Sequence, residues 1–264
     1  MRFASLGSGS EGNALLIESS DGARTTRVLV DCGFGRREAE RRLRAAGAHP
    51  DRLDAIPVTH EHADHIGGVF RLARAHGVPV HLTHGTLRAA AAMLATLDDV
   101  EPLLRVFDSH AAFECASLRI EPVPVPHDAR EPVQYVVDDG RRRLGVLTDL
   151  GQGTPHVVRA LSRLDALVLE CNHDEQLLAG NPRYPPALKR RIAGPWGHLD
   201  NREAARILAT IDRSRLHTVV AAHLSRHNNR PELAREALAS VLRSDADAMI
   251  RVADQDSGID WIAV

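Results

Sequence analysis

The stretch Thr59-His60-Glu61-His62-Ala63-Asp64-His65 concentrates metal-binding chemistry. His60, His62, Asp64 and His65 put four potential ligands within six residues. Imidazole with carboxylate suits Zn²⁺, and also Mn²⁺ or Fe²⁺. Spacing matters as much as residue type. On extended backbone, side chains two apart point the same way, so His60 and His62 can share one ion. Asp64 and His65 fall where an apolar strand gives way to a helical pattern, and can turn toward a second ion. The plainer alternative is a polar loop at a helix start, with Asp64 as its N-terminal cap.

The flanking sequence must supply that strand and helix. Asp54–Val58 reads as a strand interrupted by Pro57, and Asp64–His76 as a helix ended by Gly77. Earlier strands are expected at Arg2–Leu6, Ala14–Glu18 and Arg27–Val30, with a Gly- and Ser-rich loop between the first two. Helix Arg36–Ala46, strand Val78–Leu82 and an alanine-rich helix Thr86–Leu97 complete this half. Leu104–Leu147 is strand-like, and beyond it strand and helix patterns alternate again. Two strand blocks with helices attached predict two sheets packed face to face, with helices outside. That is a four-layer αββα sandwich of the α+β class. No Pro-, Gly- or Ser-rich linker and no internal repeat divides residues 1–264, which therefore read as one domain.

Composition narrows the classes. At 44% hydrophobic over 264 residues, the chain can bury a sizeable core and is not a disordered one. No apolar run approaches the roughly 18 residues of a membrane span, so no membrane partner is expected. Three scattered cysteines without a CxxC pair argue against a disulfide framework and against a cysteine-rich zinc site. The first residues lack a signal-peptide apolar block, and a reducing cytoplasm is the expected location. With 33 basic against 35 acidic residues, the chain is no bulk polycation, though a local basic patch remains open. Histidine is in surplus, at 15 residues, in a chain only 3% aromatic.

Thr-His-x-His-x-Asp-His resembles the signature of the metallo-β-lactamase fold, which implies the αββα sandwich and further ligands at later strand ends. On that pattern His127, in Val125-Pro126-His127-Asp128, matches the third histidine of one ion. Asp149, in Leu147-Thr148-Asp149-Leu150, matches the bridging aspartate. His223, in Ala221-Ala222-His223-Leu224-Ser225, matches the last histidine of the second ion. The implied sites are His60, His62 and His127 for one divalent ion, and Asp64, His65 and His223 for the other, with Asp149 between them. Lactamase branches carry cysteine at the Asp149 position, so a β-lactam hydrolase is not expected. Longer stretches, among them SLGSGSEGNALLIE, GVLTDLG, LECNHDEQLL and AAHLSRHNN, resemble the YycJ/WalJ branch of the fold. Pro57, Gly12 and Gln134 depart from commoner choices there, and none is an implied ligand. The resemblance implies 5′-to-3′ exonuclease action on DNA, with a divalent metal such as Zn²⁺ or Mn²⁺. Larger nucleic-acid-processing relatives insert a β-CASP domain between the bridging aspartate and the last histidine. The 73 residues between Asp149 and His223 are too few for a complete one.

Two divalent ions against two carboxylates and a bridging hydroxide leave the core roughly singly positive, which favours an anionic substrate. In the nuclease reading, the bridging hydroxide attacks phosphorus in line, and the leaving sugar oxygen needs a proton. Asp64 and Asp149 serve the ions, while His198 and His227 are the first candidates for the proton donor. His173 is a candidate for orienting a ligand or facing phosphate. Ser8, Ser10 and Asn13 could offer polar groups to phosphate, although a hairpin turn explains them too. Ser225 lies in His223-Leu224-Ser225, which resembles the His-Phe-Ser stretch of tRNase Z. Lys189, Arg190 and Arg191 are the favoured basic patch, ahead of Arg36–Arg44 and Arg141–Arg143. DNA is the expected partner, with RNA as the alternative substrate; the sequence does not speak to oligomeric state. The competing enzyme class is a hydrolase of small thioesters, lactones or cyclic phosphodiesters. A non-enzymatic metal scaffold is the third.

Overall fold

The computed structural model describes residues 1–264. Its first sheet is built from β1 (Arg2–Gly7), β2 (Ala14–Ser20), β3 (Thr25–Val30), β4 (Ile56–Pro57), β5 (Val80–Thr83) and β6 (Leu104–Phe107). The second holds β7 (Phe113–Cys115), β8 (Leu118–Pro124), β9 (Val133–Asp138), β10 (Arg143–Leu147), β11 (Ala166–Glu170), β12 (Thr218–Ala222) and β13 (Ile250–Val252). The last strand, β14 (Ile259–Ala263), returns to the first sheet. Sheet orders are β14-β1-β2-β3 and β13-β12-β11-β10-β9-β8-β7, with β4-β5-β6 as a third group. That group continues the first sheet, because Leu29 N donates to Ala55 O (3.1 Å) and Asp31 N to Pro57 O (3.0 Å).

Period-two alternation along each strand sorts apolar side chains into layers. Leu15, Ile17, Val28 and Val30 of the first sheet meet Tyr135, Val146, Val168 and Val220 of the second, forming the central core. The intervening Leu16 and Leu29 face outward onto Leu43, Val69 and Leu72 of one helical layer. Leu167, Leu169 and Val219 face Leu208 and Leu238 of the other. Three apolar layers between four structural ones make the expected αββα sandwich.

Local differences have physical causes. The strand expected at Asp54–Val58 is only Ile56–Pro57, since Pro57 cannot donate to the ladder. It survives because Ile56 N and Val58 N, on the other side, still donate to Pro79 O and His81 O. The helix expected at Asp64–His76 is two helices, Ala63–Ile66 and Val69–His76. The break falls at Gly68, where a Cβ would stand 1.8 Å from Phe34 O, so the chain from Asp31 to Phe34 crosses there. Helix Thr86–Leu97 likewise divides into His84–Ala89 and Ala91–Leu94. Helix Pro155–Ala160, capped by Thr154, was not legible in the pattern. Between Asp149 and His223 lie that helix, β11, helices Glu175–Gly180, Pro186–Ile192 and Asn201–Thr210, and β12.

Candidate metal centre

The two sheets end on one edge of the sandwich, and the candidate ligands gather there. Behind β4 the chain runs through Thr59 and His60 to the short helix starting at Ala63. His127 follows β8, Asp149 follows β10 and His223 follows β12. His60, His65, His127, Asp149 and His223 are buried. Donor atoms of His60, His62 and His127 lie within 4.8 Å of one another, as do those of Asp64, His65 and His223, and those of His60, His65 and Asp149. All seven residues predicted to hold metal are therefore together.

Each imidazole has one nitrogen fixed by an oxygen acceptor. His60 Nδ1 donates to Thr59 Oγ1 (3.0 Å), and that hydroxyl donates to Asp31 Oδ2 (2.7 Å). His65 Nδ1 donates to Asp31 Oδ2 (2.8 Å), His127 Nδ1 to Gly197 O (2.9 Å) and His62 Nε2 to Asp128 O (3.2 Å). His223 Nδ1 donates to Glu170 Oε1 (3.2 Å). In the neutral rings these acceptors select the tautomer, leaving Nε2 of four rings and Nδ1 of His62 as the inward-facing nitrogens that can ligate once unprotonated.

The inward atoms fit divalent cations. Bonds of 2.0–2.1 Å in tetrahedral geometry hold ligand atoms about 3.3 Å apart. His62 Nδ1 and His127 Nε2 are 3.3 Å apart, as are Asp64 Oδ2 and His223 Nε2, and Asp64 Oδ2 and His65 Nε2 are 3.5 Å apart. His60 Nε2 and Asp149 Oδ2 are buried without any hydrogen-bond partner. His65 Nε2 stands 2.6 Å from Asp149 Oδ2, out of hydrogen-bond alignment. With Nδ1 donating to Asp31, the neutral ring would set two lone pairs against each other across that gap, an arrangement that a proton on Nε2 or a metal cation relieves.

The acidities report the same crowding. Burial pushes His60 well below the usual histidine range, and the neighbouring His65 adds to it. Burial also lowers His127. At His65 burial opposes charge, but Asp149, Asp64 and Asp31 overrule it and raise the ring well above its ordinary value. At His223 burial is likewise outweighed, chiefly by Asp149, Asp64 and Glu170, and the ring is held at about 9. Burial would raise Asp149, yet His223, His65 and His198 hold it well below the carboxylate range. Asp64 is lowered against burial by His65 and His223.

His198 joins this cluster. Its Nδ1 lies 2.8 Å from Glu170 Oε1 and 2.9 Å from Asp149 Oδ1, and the ring keeps an exposed edge. Burial is outweighed by those two carboxylates, which raise it well above the usual histidine range. His227 is elsewhere: exposed, with its ring edge-on to Tyr184 at 6.5 Å. His173 is buried rather than offered to a substrate, and its Nδ1 has no partner.

The predicted phosphate contacts divide in the same way. Ser8 Oγ is turned inward and accepts from His223 N (2.8 Å). Asn172 Nδ2 donates to His223 O (3.1 Å), so both groups clamp a backbone held at φ 56°. Ser225 Oγ is buried and accepts from Asn228 N. Only Asn13 reaches the centre, with Nδ2 3.1 Å from His65 Nε2 and 3.4 Å from Asp64 Oδ2. Ser10 is exposed. The basic runs are largely spoken for. Arg41 and Arg42 pair with Glu38, Arg142 with Asp165, and Arg191 with Asp128, while Lys189 Nζ donates to Ala179 O. Arg190 is exposed without an ion pair.

Sequence reasoning missed Asp31, Thr59 and Glu170. Glu170 is fully buried, and its second oxygen accepts from Leu150 N (2.9 Å) and Leu199 N (3.2 Å). The available signal was a carboxylate closing an apolar strand, in Val-Leu-Val-Asp31 and Leu-Val-Leu-Glu170.

Fold and site together define a hydrolase of the metallo-β-lactamase fold whose centre can hold metal. A family model described as "Beta-lactamase superfamily domain" matches residues 26–224. The chain is 32% identical to exodeoxyribonuclease YycJ of Bacillus anthracis, over 92% of this chain and 89% of that protein. It is 30% identical to exodeoxyribonuclease WalJ of Streptococcus pneumoniae, over 91% and 88%. Among solved structures, Zn²⁺-bound PqqB from Methylobacterium extorquens superposes over the full length of both chains with a TM-score of 0.74 at 17% identity. The chain belongs to the beta-lactamase superfamily and, within it, to the YycJ/WalJ family.

Proposed function

We propose that the protein is a phosphodiesterase dependent on two divalent ions, Zn²⁺ or Mn²⁺, and that it degrades DNA from the 5′ end. The observation that carries this is the set of inward-facing nitrogens, each ring fixed by an acceptor behind it. His60 Nε2, His62 Nδ1 and His127 Nε2 would hold one ion and Asp64, His65 Nε2 and His223 Nε2 the other, with Asp149 between them. When bound, the ions supply charge neutralisation for a phosphate and a water of lowered pKa. The naming of its relatives as exodeoxyribonucleases supports DNA as the substrate.

The chain's own residues supply the proton. His198 is pinned through Nδ1 by Glu170 and Asp149, so its ring cannot swing, and its exposed edge is free. Those carboxylates favour its protonated form, and it delivers its proton to the leaving sugar oxygen. Exposed His227, on Tyr184, is the weaker candidate for that role. Buried Asn13, whose Nδ2 donates to Gly9 O (3.0 Å), holds the Gly- and Ser-rich loop against His65 and Asp64 and does not reach a substrate. The whole chain acts as one hydrolase domain without a β-CASP insertion. Three buried free cysteines accord with a reducing cytoplasm, and no helix is long and apolar enough to cross a membrane.

The test is cleavage of end-labelled single- and double-stranded DNA and of RNA with added Mn²⁺ or Zn²⁺, with Asp149→Ala as control. Metal-dependent release of nucleotides from the 5′ end of DNA, lost in the control, is the expected result. No cleavage of any strand would sink the reading. The second reading, a hydrolase of small thioesters, lactones or cyclic phosphodiesters, draws on the internal pairing of the basic runs.

A further inference from the structure

Trp196 is 60% exposed, one of two large hydrophobic side chains left in solvent. The other tryptophan shows what a structural indole does here. Trp261 donates Nε1–H to Ala46 O (2.9 Å) and lies 4.2 Å under the Arg2 guanidinium. Trp196 has neither contact. An exposed indole forgoes the stabilisation of burial, so the core does not explain it.

Its position does. The two residues after it both enter the centre: Gly197 O accepts from His127 Nδ1 (2.9 Å), and His198 Nδ1 meets Asp149 Oδ1 (2.9 Å). Its backbone lies on the turn that carries Asp149. A Cβ on Gly151 would stand 2.2 Å from Pro195 O and 2.6 Å from Trp196 N. The loop is tied down by His198 N to Ile192 O (2.8 Å) and Gly197 N to Gly194 O (2.9 Å). The exposed indole is thus carried on a fixed loop whose next two residues reach the centre. Cations flank it. The Arg191–Asp128 ion pair joins helix Pro186–Ile192 to the segment after His127, and those two segments carry exposed Arg190 and Arg130, neither in an ion pair.

We propose that Trp196 stacks on a nucleobase of the substrate strand beside the scissile phosphate, while Arg190 and Arg130 hold neighbouring backbone phosphates. This rests on the nuclease reading above. An exposed aromatic face on a fixed loop, with unpaired guanidinium groups on the bordering segments, suits single-stranded nucleic acid, because every base offers a π-face whatever the sequence.

The test compares wild type, Trp196→Ala and Trp196→Phe on a single-stranded oligonucleotide and on a fully abasic strand of the same length, a base-free diester with no aromatic ring. Trp196→Ala should raise KM for the oligonucleotide about five- to hundredfold, with kcat within about twofold. Trp196→Phe should recover much of that loss, and neither change should alter KM for the base-free diester. An abasic nucleotide moved stepwise from the 5′ end should cost wild type a similar factor at one position and cost Trp196→Ala nothing further there. An unchanged oligonucleotide KM, or equal loss on both substrates, would overturn the stacking role and leave the nuclease reading standing. If wild type cleaves no strand, the nuclease reading falls and this one with it.

Discussion

Glu170 offers the sharpest test of how the centre is held, and Glu170→Gln is the perturbation. The carboxylate accepts four hydrogen bonds, from His198 Nδ1 (2.8 Å), His223 Nδ1 (3.2 Å), Leu150 N (2.9 Å) and Leu199 N (3.2 Å). Glutamine has the same shape but one acceptor oxygen, with two N–H donors in place of the other. If its oxygen stays with Leu150 and Leu199, the amide N–H groups face two imidazole donors. If the amide flips, they face two backbone donors that cannot rotate away. Either way two hydrogen bonds to a charged group are lost, about 1.5–3 kcal/mol each, or roughly 3–6 kcal/mol together. The imidazoles can escape by changing tautomer, which puts a proton on His223 Nε2 and removes that atom as a ligand. The expected outcome is metal affinity at the Asp64–His65–His223 position weakened about ten- to hundredfold, and lower thermal stability. Chelator competition with Zn²⁺ and calorimetric unfolding measure both. Metal affinity within about twofold of wild type, at unchanged Tm, would refute the reasoning.

Three further outcomes follow from the same geometry. His198→Ala should lower kcat on an oligonucleotide about 10²–10⁴-fold, but far less on bis(p-nitrophenyl) phosphate, whose leaving group needs no proton; equal losses would remove His198 as the acid. Metal-free His223 is held at about 9, above its unfolded value. Its contribution to metal-free stability is therefore fully present below the unfolded value near 6.5 and is lost as pH rises through about 9. Metal must displace that proton, so chelator competition at pH 6, 7 and 8 should show affinity tightening with pH, and a flat profile would contradict the assignment. Ser8→Ala removes the acceptor for buried His223 N and should cost about 1–3 kcal/mol in denaturant unfolding; an unchanged midpoint would mean the strained backbone is held otherwise.

Much of the architecture was legible because it rests on local periodicity. Leu15 and Ile17 against Leu16 already separate two faces, and the buried layers follow that alternation. Helix Pro186–Ile192 ends where its sequence pattern ends. The misses come from contacts distant in sequence. The helix after His62 breaks because the chain near Phe34 presses on Gly68, and nothing in residues 64–76 announces that neighbour. Ser8 looks like a phosphate-loop serine by composition, yet it is spent on His223, 215 positions away. His198 and His227 were equals as isolated histidines. The fold sets one against Glu170 and Asp149 and leaves the other on the surface.

The sequence by itself determined the candidate donor set. His60, His62, Asp64 and His65 sit on one strand-to-helix passage, where spacing alone dictates which side chains can converge. His127, Asp149 and His223 end strands, and the order of the family pattern picked them out. Only the tertiary structure decided what stands behind those donors. Asp31 and Glu170 become acceptors for three histidines because β3 and β11 end at the same edge as β4, β10 and β12. A lone carboxylate in a sequence has no partner until the sheets bring one, and burial then makes that partnership strong. The candidate ligands are therefore legible in the chain, whereas their orientation, tautomers and proton affinities belong to the folded molecule.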